Sequence, residues 1–282
     1  MPHGAPASAR RRAHVTWALA AAALVTQSAA YTATATRPTP LAPDYVDGWA
    51  VTPKRSTWQG RELMCLVVSD DPSVDNLHSV AHPDHPRYRA FEELEDPHGA
   101  LGVWPSAYAA CASLQKIASE LKRPPTVLEL GCGAGLPSLY ASVVLESPRV
   151  VATDVEAVPL AFLEAARSAH VETGSFATCT LDVTYAAVDD IRGYDVVVCA
   201  DMLYNTDVAT ALGALLGAAA CGAGAPEFVV CDPGRRGRDH FLDAFGAASG
   251  LSPMFVDQAV PDGCVDVFDG TPIGAVGVLA AR

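Results

Sequence analysis

Two stretches of this chain combine residue types that chemistry can use. The first is a short apolar run that ends in alternating glycines, Val127-Leu128-Glu129-Leu130-Gly131-Cys132-Gly133-Ala134-Gly135, followed by Leu136-Pro137-Ser138, which opens a helix. Glycine lets the backbone turn sharply and lets a ligand approach the main chain, and the helix behind it offers unpaired N–H groups to a carboxylate. A glycine-rich turn alone is ambiguous, because dinucleotide-binding proteins use one as well. Two residues discriminate. A dinucleotide fingerprint wants its third glycine at 136, where Leu136 stands, and it does not ask for the acid at Glu129. That acid suits the ammonium of a methionine-type cofactor and not a pyrophosphate. Glu129, Gly131, Gly133 and Gly135 are therefore expected to hold such a cofactor.

The second stretch is Tyr194-Asp195-Val196-Val197-Val198-Cys199-Ala200-Asp201-Met202-Leu203-Tyr204-Asn205. An apolar strand runs straight into Asp201-x-x-Tyr204, at the edge where open α/β sheets bind their ligands. Asp201 and Tyr204 are expected where a ligand is met. The bland alternative makes Asp201 a helix cap and Tyr204 a core residue. Asp154 closes the strand Val150-Val151-Ala152-Thr153 and is expected to accept both hydroxyls of a ribose, a role that can coexist with capping the next helix. Asp182, in Leu181-Asp182-Val183, is expected near an adenine amine, with an ordinary turn aspartate as its alternative.

These residues need a frame that gathers them on one edge. Apolar runs at 126–130, 150–153, 194–200 and 227–231 alternate with Ala/Leu-rich helical stretches at about 137–146, 157–169, 207–220 and 238–248. Such alternation predicts a parallel sheet with helices on both faces. The last two strands, near Met254–Val260 and Ile273–Ala280, follow one another without a crossover helix and so pair antiparallel. Trp104–Leu121 has helical spacing, with Pro105 at its start. Trp58–Val68 reads as one or two short strands broken at Gly60, preceded by a proline-punctuated linker over 40–53. The expected fold is a doubly wound, mostly parallel seven-stranded sheet with an antiparallel C-terminal pair and a short N-terminal β extension. The chain divides into a leader and linker (1–43), N-terminal strands with a polar loop (44–99) and a cofactor-binding domain (100–282).

At this point the sequence resembles a known family. Gly102-Val103-Trp104-Pro105-Ser106-Ala107, the Glu129-to-Gly135 motif and Asp201-x-x-Tyr204 together resemble the protein-lysine methyltransferases of the seven-β-strand (class I) type, over about residues 58–281. That group modifies chaperones, elongation factors and the electron-transfer flavoprotein β subunit. Asp232-Pro233-Gly234-Arg235 further resembles the flavoprotein-directed branch and its bacterial relatives once named nicotinamide N-methyltransferase-like. The resemblance implies S-adenosyl-L-methionine as cofactor, lined by Trp104, Gly131, Cys132, Gly133, Asp154 and Ala200, with Asp201 and Tyr204 facing the incoming amine. Where many members pack a tryptophan on the adenine, this chain has Val183, so that wall is thinner or comes from another residue. A lysine-bearing protein is the implied partner. N-methylation of a small-molecule amine or pyridine is the alternative, and a cofactor-binding module without catalysis is the third reading.

Composition bounds the rest. A formal net charge of −13 argues against a surface that tracks nucleic-acid phosphates, which needs clustered Lys and Arg. The eight cysteines lack any C-x-x-C pair, and several fall in apolar runs, so they are expected as buried small hydrophobes in a reducing compartment. His78, His82, His85 and His98 lie in a Pro-rich polar stretch, and no metal site is expected there. Near the N-terminus, Arg10-Arg11-Arg12 precedes an apolar run from Val15 to Val25 and Ser28-Ala29-Ala30, and a hydroxyl-rich, acid-free segment follows. Signal-like and transit-like parts in tandem resemble bipartite plastid leaders, with a mitochondrial presequence as the alternative. The apolar run falls short of the ~20 residues a bilayer span needs, so no stable membrane insertion is expected, and the mature chain is expected to act as a monomer.

Overall fold

A strand that is apolar on both sides requires helices over both faces of its sheet, and the central runs of this chain are of that kind. The computed structural model describes residues 45–47, 49–69, 99–170, 174–267 and 270–281; the leader, and His78, His82, His85 and His98, lie outside them. In chain order the elements are β1 (Tyr45–Val46), β2 (Trp49–Trp58), β3 (Arg61–Val68), α1 (Pro105–Leu121) and β4 (Val127–Leu130). Then come α2 (Leu136–Leu139), a π-helical turn (Tyr140–Val144), β5 (Arg149–Asp154), α3 (Ala157–Arg167), β6 (Ser175–Thr180) and α4 (Val188–Ile191). The chain continues through β7 (Val196–Ala200), α5 (Thr206–Ala220), β8 (Glu227–Asp232), α6 (Arg238–Ser249), β9 (Pro253–Ala259) and β10 (Ala275–Ala281).

Seven strands form one sheet in the order β6-β5-β4-β7-β8-β10-β9. The first five are parallel, and β10 enters between β8 and β9 antiparallel to both. This is the doubly wound, mostly parallel sheet with an antiparallel C-terminal pair that the sequence predicts. Its order reverses at β4, which has β5 on one side and β7 on the other, so a crevice opens at the carboxyl ends of β4 and β7.

The strand residues alternate between two cores. Val127, Val196, Val198, Val229 and Cys231 face the side covered by α1, α3 and the β2–β3 hairpin. Leu128, Leu130, Val197, Cys199 and Val230 face the side covered by α4, α5 and α6. Period-2 side-chain alternation on a sheet buried on both faces produces this split directly. Glu129 is the one charged residue in β4, fully buried where its neighbours are apolar.

Two segments differ from what the sequence suggests. Residues 49–53, read as linker, belong to β2, which pairs with β3 along its full length through a turn at Gln59-Gly60 with both φ angles positive. Pro53 is tolerated because β1 pairs only with Trp49 and Ala50, leaving β2 an edge at that point. The helix expected at 137–146 is a single α turn that widens into the π turn, where the Leu145 N–H donates to the Tyr140 carbonyl and the Ser147 N–H to that of Ala141. Of the cysteines, Cys65, Cys111, Cys132, Cys199 and Cys231 are buried, Cys179 and Cys264 are half-buried and Cys221 is exposed; all eight are free thiols. No helix among the described residues is long and apolar enough to cross a membrane.

Candidate active site

Strand β4 delivers the chain to the crevice and the glycines turn it there. Gly131, Gly133 and Gly135 have φ of 66°, 48° and 71°, a region that L side chains rarely adopt. A Cβ at Gly133 would lie 2.7 Å from the Gly99 carbonyl oxygen, a backbone atom that cannot yield. The loop is tied down by short-range donors: the Cys132 N–H donates to the Thr153 carbonyl at 2.8 Å and the Gly133 N–H to Asp154 Oδ2 at 2.9 Å. Asp154 Oδ1 accepts from the Glu156 N–H at 3.1 Å, and Glu156, not Asp154, is the N-cap of α3.

Below the loop, Glu129 Oε2 accepts from both the backbone N–H and the hydroxyl of Ser138 at the start of α2. Its Oε1 has no hydrogen-bond partner among the described residues. Burial pushes this carboxyl up to about 8, against the pull of the two Ser138 donors, and the neighbouring Asp154 charge adds to the rise. Cys132 shares the wall, but burial holds its thiol well above the ordinary value, so it is a neutral lining residue and not a nucleophile.

Across the crevice, β7 ends at Ala200 and the next residue, Asp201, takes φ 61°. A non-glycine residue in that region signals a constrained turn. The Asp201 N–H donates to the Cys231 carbonyl at 2.9 Å, which holds the turn against β8. Both carboxylate oxygens of Asp201 are engaged by one residue: Arg235 Nε donates to Oδ1 at 2.7 Å and Nη2 to Oδ2 at 3.2 Å. The third guanidinium nitrogen, Nη1, meets Asp266 Oδ2 at 3.1 Å, and the guanidinium sits 5.4 Å from the centre of the Trp104 ring. Burial raises the Asp201 carboxyl above its ordinary value, and Arg235 offsets only part of that rise.

Asp232 explains why Arg235 stands where it does. It is fully buried at the end of β8 and accepts from the backbone N–H groups of Gly234 and Arg235 and, at 2.6 Å, from Arg238 Nε. That fixes the turn which presents the guanidinium. Asn205, not Asp201, caps α5, accepting from the N–H groups of Asp207 and Val208. Tyr204 is half-buried, and its carbonyl accepts from Arg236 Nε at 2.7 Å.

A cavity of about 230 Å³ lies between these two halves. Trp104, Glu129, Gly131, Cys132, Gly133, Gly135, Asp154, Ala200, Asp201 and Tyr204 all line it. Asp182 and Val183 do not: Asp182 Oδ1 accepts from the N–H and hydroxyl of Thr184 within its own turn, and Val183 is buried in the core under α5. Sequence reasoning missed Arg235, Arg236 and Met202 on the wall and Asp266 behind it. For Arg235 a signal existed. It follows a tight Asp-Pro-Gly turn at the carboxyl end of a central strand, the edge where every other site residue lies.

The sequence profile of the lysine methyltransferase family matches residues 83–245, more than half of the chain. No curated protein matches it in sequence. Among solved structures, the chain is similar to the magnesium protoporphyrin IX methyltransferase (ChlM) of Synechocystis PCC 6803 with bound SAM, at 15% identity over 63% of this chain and 80% of that one, with a TM-score of 0.46. The same enzyme with bound SAH aligns at 14% identity over 63% and 83%, with a TM-score of 0.46. The methyltransferase domain of bacterial CtHen1 aligns at 14% identity over 60% of this chain and 96% of that one, with a TM-score of 0.40.

Proposed function

The chain belongs to the lysine methyltransferase family, and from that premise we propose that it moves the methyl group of S-adenosyl-L-methionine to the side-chain amine of a lysine in a protein. One observation carries the reading. The buried carboxylate of Asp201 and the glycine cradle open onto a single cavity, so an amine held by the one faces whatever the other holds.

The cradle fits this cofactor on two counts. Gly131, Gly133 and Gly135 line the cavity with main chain and no side chain of their own, and Glu129 Oε1 is a buried carboxyl oxygen on the same wall that an ammonium group can meet. In the proposed arrangement Gly131, Cys132 and Gly133 carry the methionine end, Asp154 accepts from the ribose hydroxyls, and Trp104 and Ala200 close the wall toward the acceptor. When bound, the sulfonium supplies an electrophilic methyl group open to in-line displacement.

The residues of the chain then supply position more than acid or base strength. Correct placement of two reactants contributes several kcal/mol, up to ~7–11 in favourable systems. The lysine amine, with a reference value of ~10.4, must nonetheless lose a proton before it attacks. Asp201 holds and orients the nitrogen while its proton passes to water. Tyr204 shapes the channel beside it.

The test is transfer of label. Purified protein incubated with methyl-labelled S-adenosylmethionine and a cell lysate is expected to place acid-stable label on protein, and hydrolysis of that protein is expected to release methyl-lysine. Label running only with small molecules would replace this reading by N-methylation of a small amine.

A further inference from the structure

Resting on the amine-methyltransferase reading, we propose that Arg235 determines acceptor specificity: its guanidinium holds Asp201 in the resting protein and gives up that carboxylate to an incoming ammonium, while Asp266 and Trp104 retain the displaced side chain. Both oxygens of Asp201 are already engaged by Arg235, and the Ser106 hydroxyl also donates to Oδ2 at 3.5 Å, so an incoming ammonium competes with a resident cation for this carboxylate. The pair is built, not incidental. Asp232 clamps the turn that presents Arg235, and Asp201 adopts a left-handed backbone conformation to meet it.

Arg235 also has somewhere to go. Its Nη1 contact to Asp266 and its position over Trp104 do not involve Asp201, so withdrawal breaks one ion pair and leaves the other partners within reach. The sign of the ligand follows from the same contacts. All three guanidinium nitrogens face carboxylates, and Asp154 lines the same cavity, so an anion entering it meets like charge on these acids, whereas a cation meets acceptors. Arg236, the other cation on the wall, is exposed and donates to the Tyr204 carbonyl. An ammonium brings three donors to the exchange, and each methyl group replaces one of them. Arg235 therefore reclaims Asp201 more readily as methylation proceeds, which favours release of the product.

Titration of the full chain with n-butylammonium, a stand-in for the lysine side chain, tests this directly. Arg235→Gln removes the resident cation and is expected to tighten the dissociation constant by about tenfold, the scale of a lost charge-assisted competitor. Asp266→Asn is expected to act in the opposite direction, weakening binding, because Arg235 then has fewer partners away from Asp201. This second variant keeps the proposal open to refutation should Arg235→Gln fail to fold. Unchanged or weaker n-butylammonium binding in Arg235→Gln, or unchanged binding in Asp266→Asn, would overturn it. So would butyrate binding to the wild type that Arg235→Gln abolishes, since Arg235 would then be an anion anchor. Opposite shifts in the two variants of a protein that fails to bind S-adenosylmethionine would remove the methyltransferase reading and leave the exchange standing.

Discussion

At the amino end of β7, Asp195 meets Arg123 through two hydrogen bonds of 2.9 and 2.6 Å; at the carboxyl end, Asp201 meets Arg235 through two of 2.7 and 3.2 Å. The chemistry of the two pairs is the same and their electrostatics are opposite. The Asp195 side chain is 25% exposed, and Arg123, helped by the Thr126 N–H and hydroxyl, holds its carboxyl well below the ordinary range. The Asp201 side chain is 4% exposed, and desolvation outweighs its arginine, so its carboxyl is raised. A charge that water still reaches gains from its partner; a charge taken out of water loses more than the partner returns. The amino-end pair joins β7 to the loop entering β4. The carboxyl-end pair is retained at a cost in a cavity, which is where such a cost signals function.

The largest effect that would sharpen this contrast is on turnover. Asp201→Asn keeps the shape and one acceptor oxygen, so cofactor affinity is expected to stay near wild type while methyl transfer falls by ~10²-fold or more. Calorimetry paired with a turnover assay checks both halves. Equal loss of the two would move Asp201 into the cofactor site, and full activity would leave Asp201 no more functional than Asp195.

Next comes Glu129, another desolvated carboxyl on the cavity wall. Its ordinary value is 4.5 and its folded value about 8, so below about 4.5 it is neutral in both states and has no effect on stability. As pH rises through that window the unfolded chain releases the proton and the folded chain keeps it, so this group lowers stability progressively up to about pH 8. Glu129→Gln cannot ionise. Its melting temperature relative to wild type is therefore expected to rise between pH 4.5 and 8, and a flat difference would show that the burial of Glu129 has no linkage to folding.

The smallest effect belongs to the exposed end. Asp195→Asn is expected to cost about 1 kcal/mol, because Arg123 is solvated and screened, with turnover and cofactor affinity unchanged. A carboxyl held below its ordinary 3.8 contributes stability above that pH and loses it as pH falls further, so the variant is expected to lack part of the wild-type decline in acid. Denaturant melts at pH 7 and pH 3 measure this; a loss of turnover would erase the distinction between the two ends.

Much of the frame is legible in the residues themselves. β4, β5, β7 to β10, α3, α5 and α6 fall within a few residues of their runs, because a sheet buried on both faces leaves uninterrupted hydrophobic segments that polar turns must separate; the edge strand β6 (Ser175–Thr180) and the single turn α4 (Val188–Ile191) have no such run. The hairpin before it was harder to read. Pro53 interrupts the pattern of a strand, and only the brevity of β1 makes that position an edge that accepts proline. The π turn at Tyr140–Val144 carries no periodic signal that separates it from an ordinary helix.

Legible in the residues alone are therefore the doubly wound sheet, the glycine cradle with Glu129 beneath it, and the placement of Asp154 and Asp201 at the carboxyl ends of their strands, with Tyr204 in the turn beyond. These depend on local rules: a period of two, a φ that glycine tolerates, a position where a strand stops. Only the tertiary structure decided that Asp201 is held by Arg235, that Asp266 waits behind it, and that Asp182 and Val183 stand off the cavity wall. Those facts depend on β8 lying beside β7 and on β10 entering between β8 and β9, which brings the connection between β9 and β10 back to the site. Ion pairs between loops leave no periodic trace in a sequence, since they are made by strand order and by the depth at which each charge is buried.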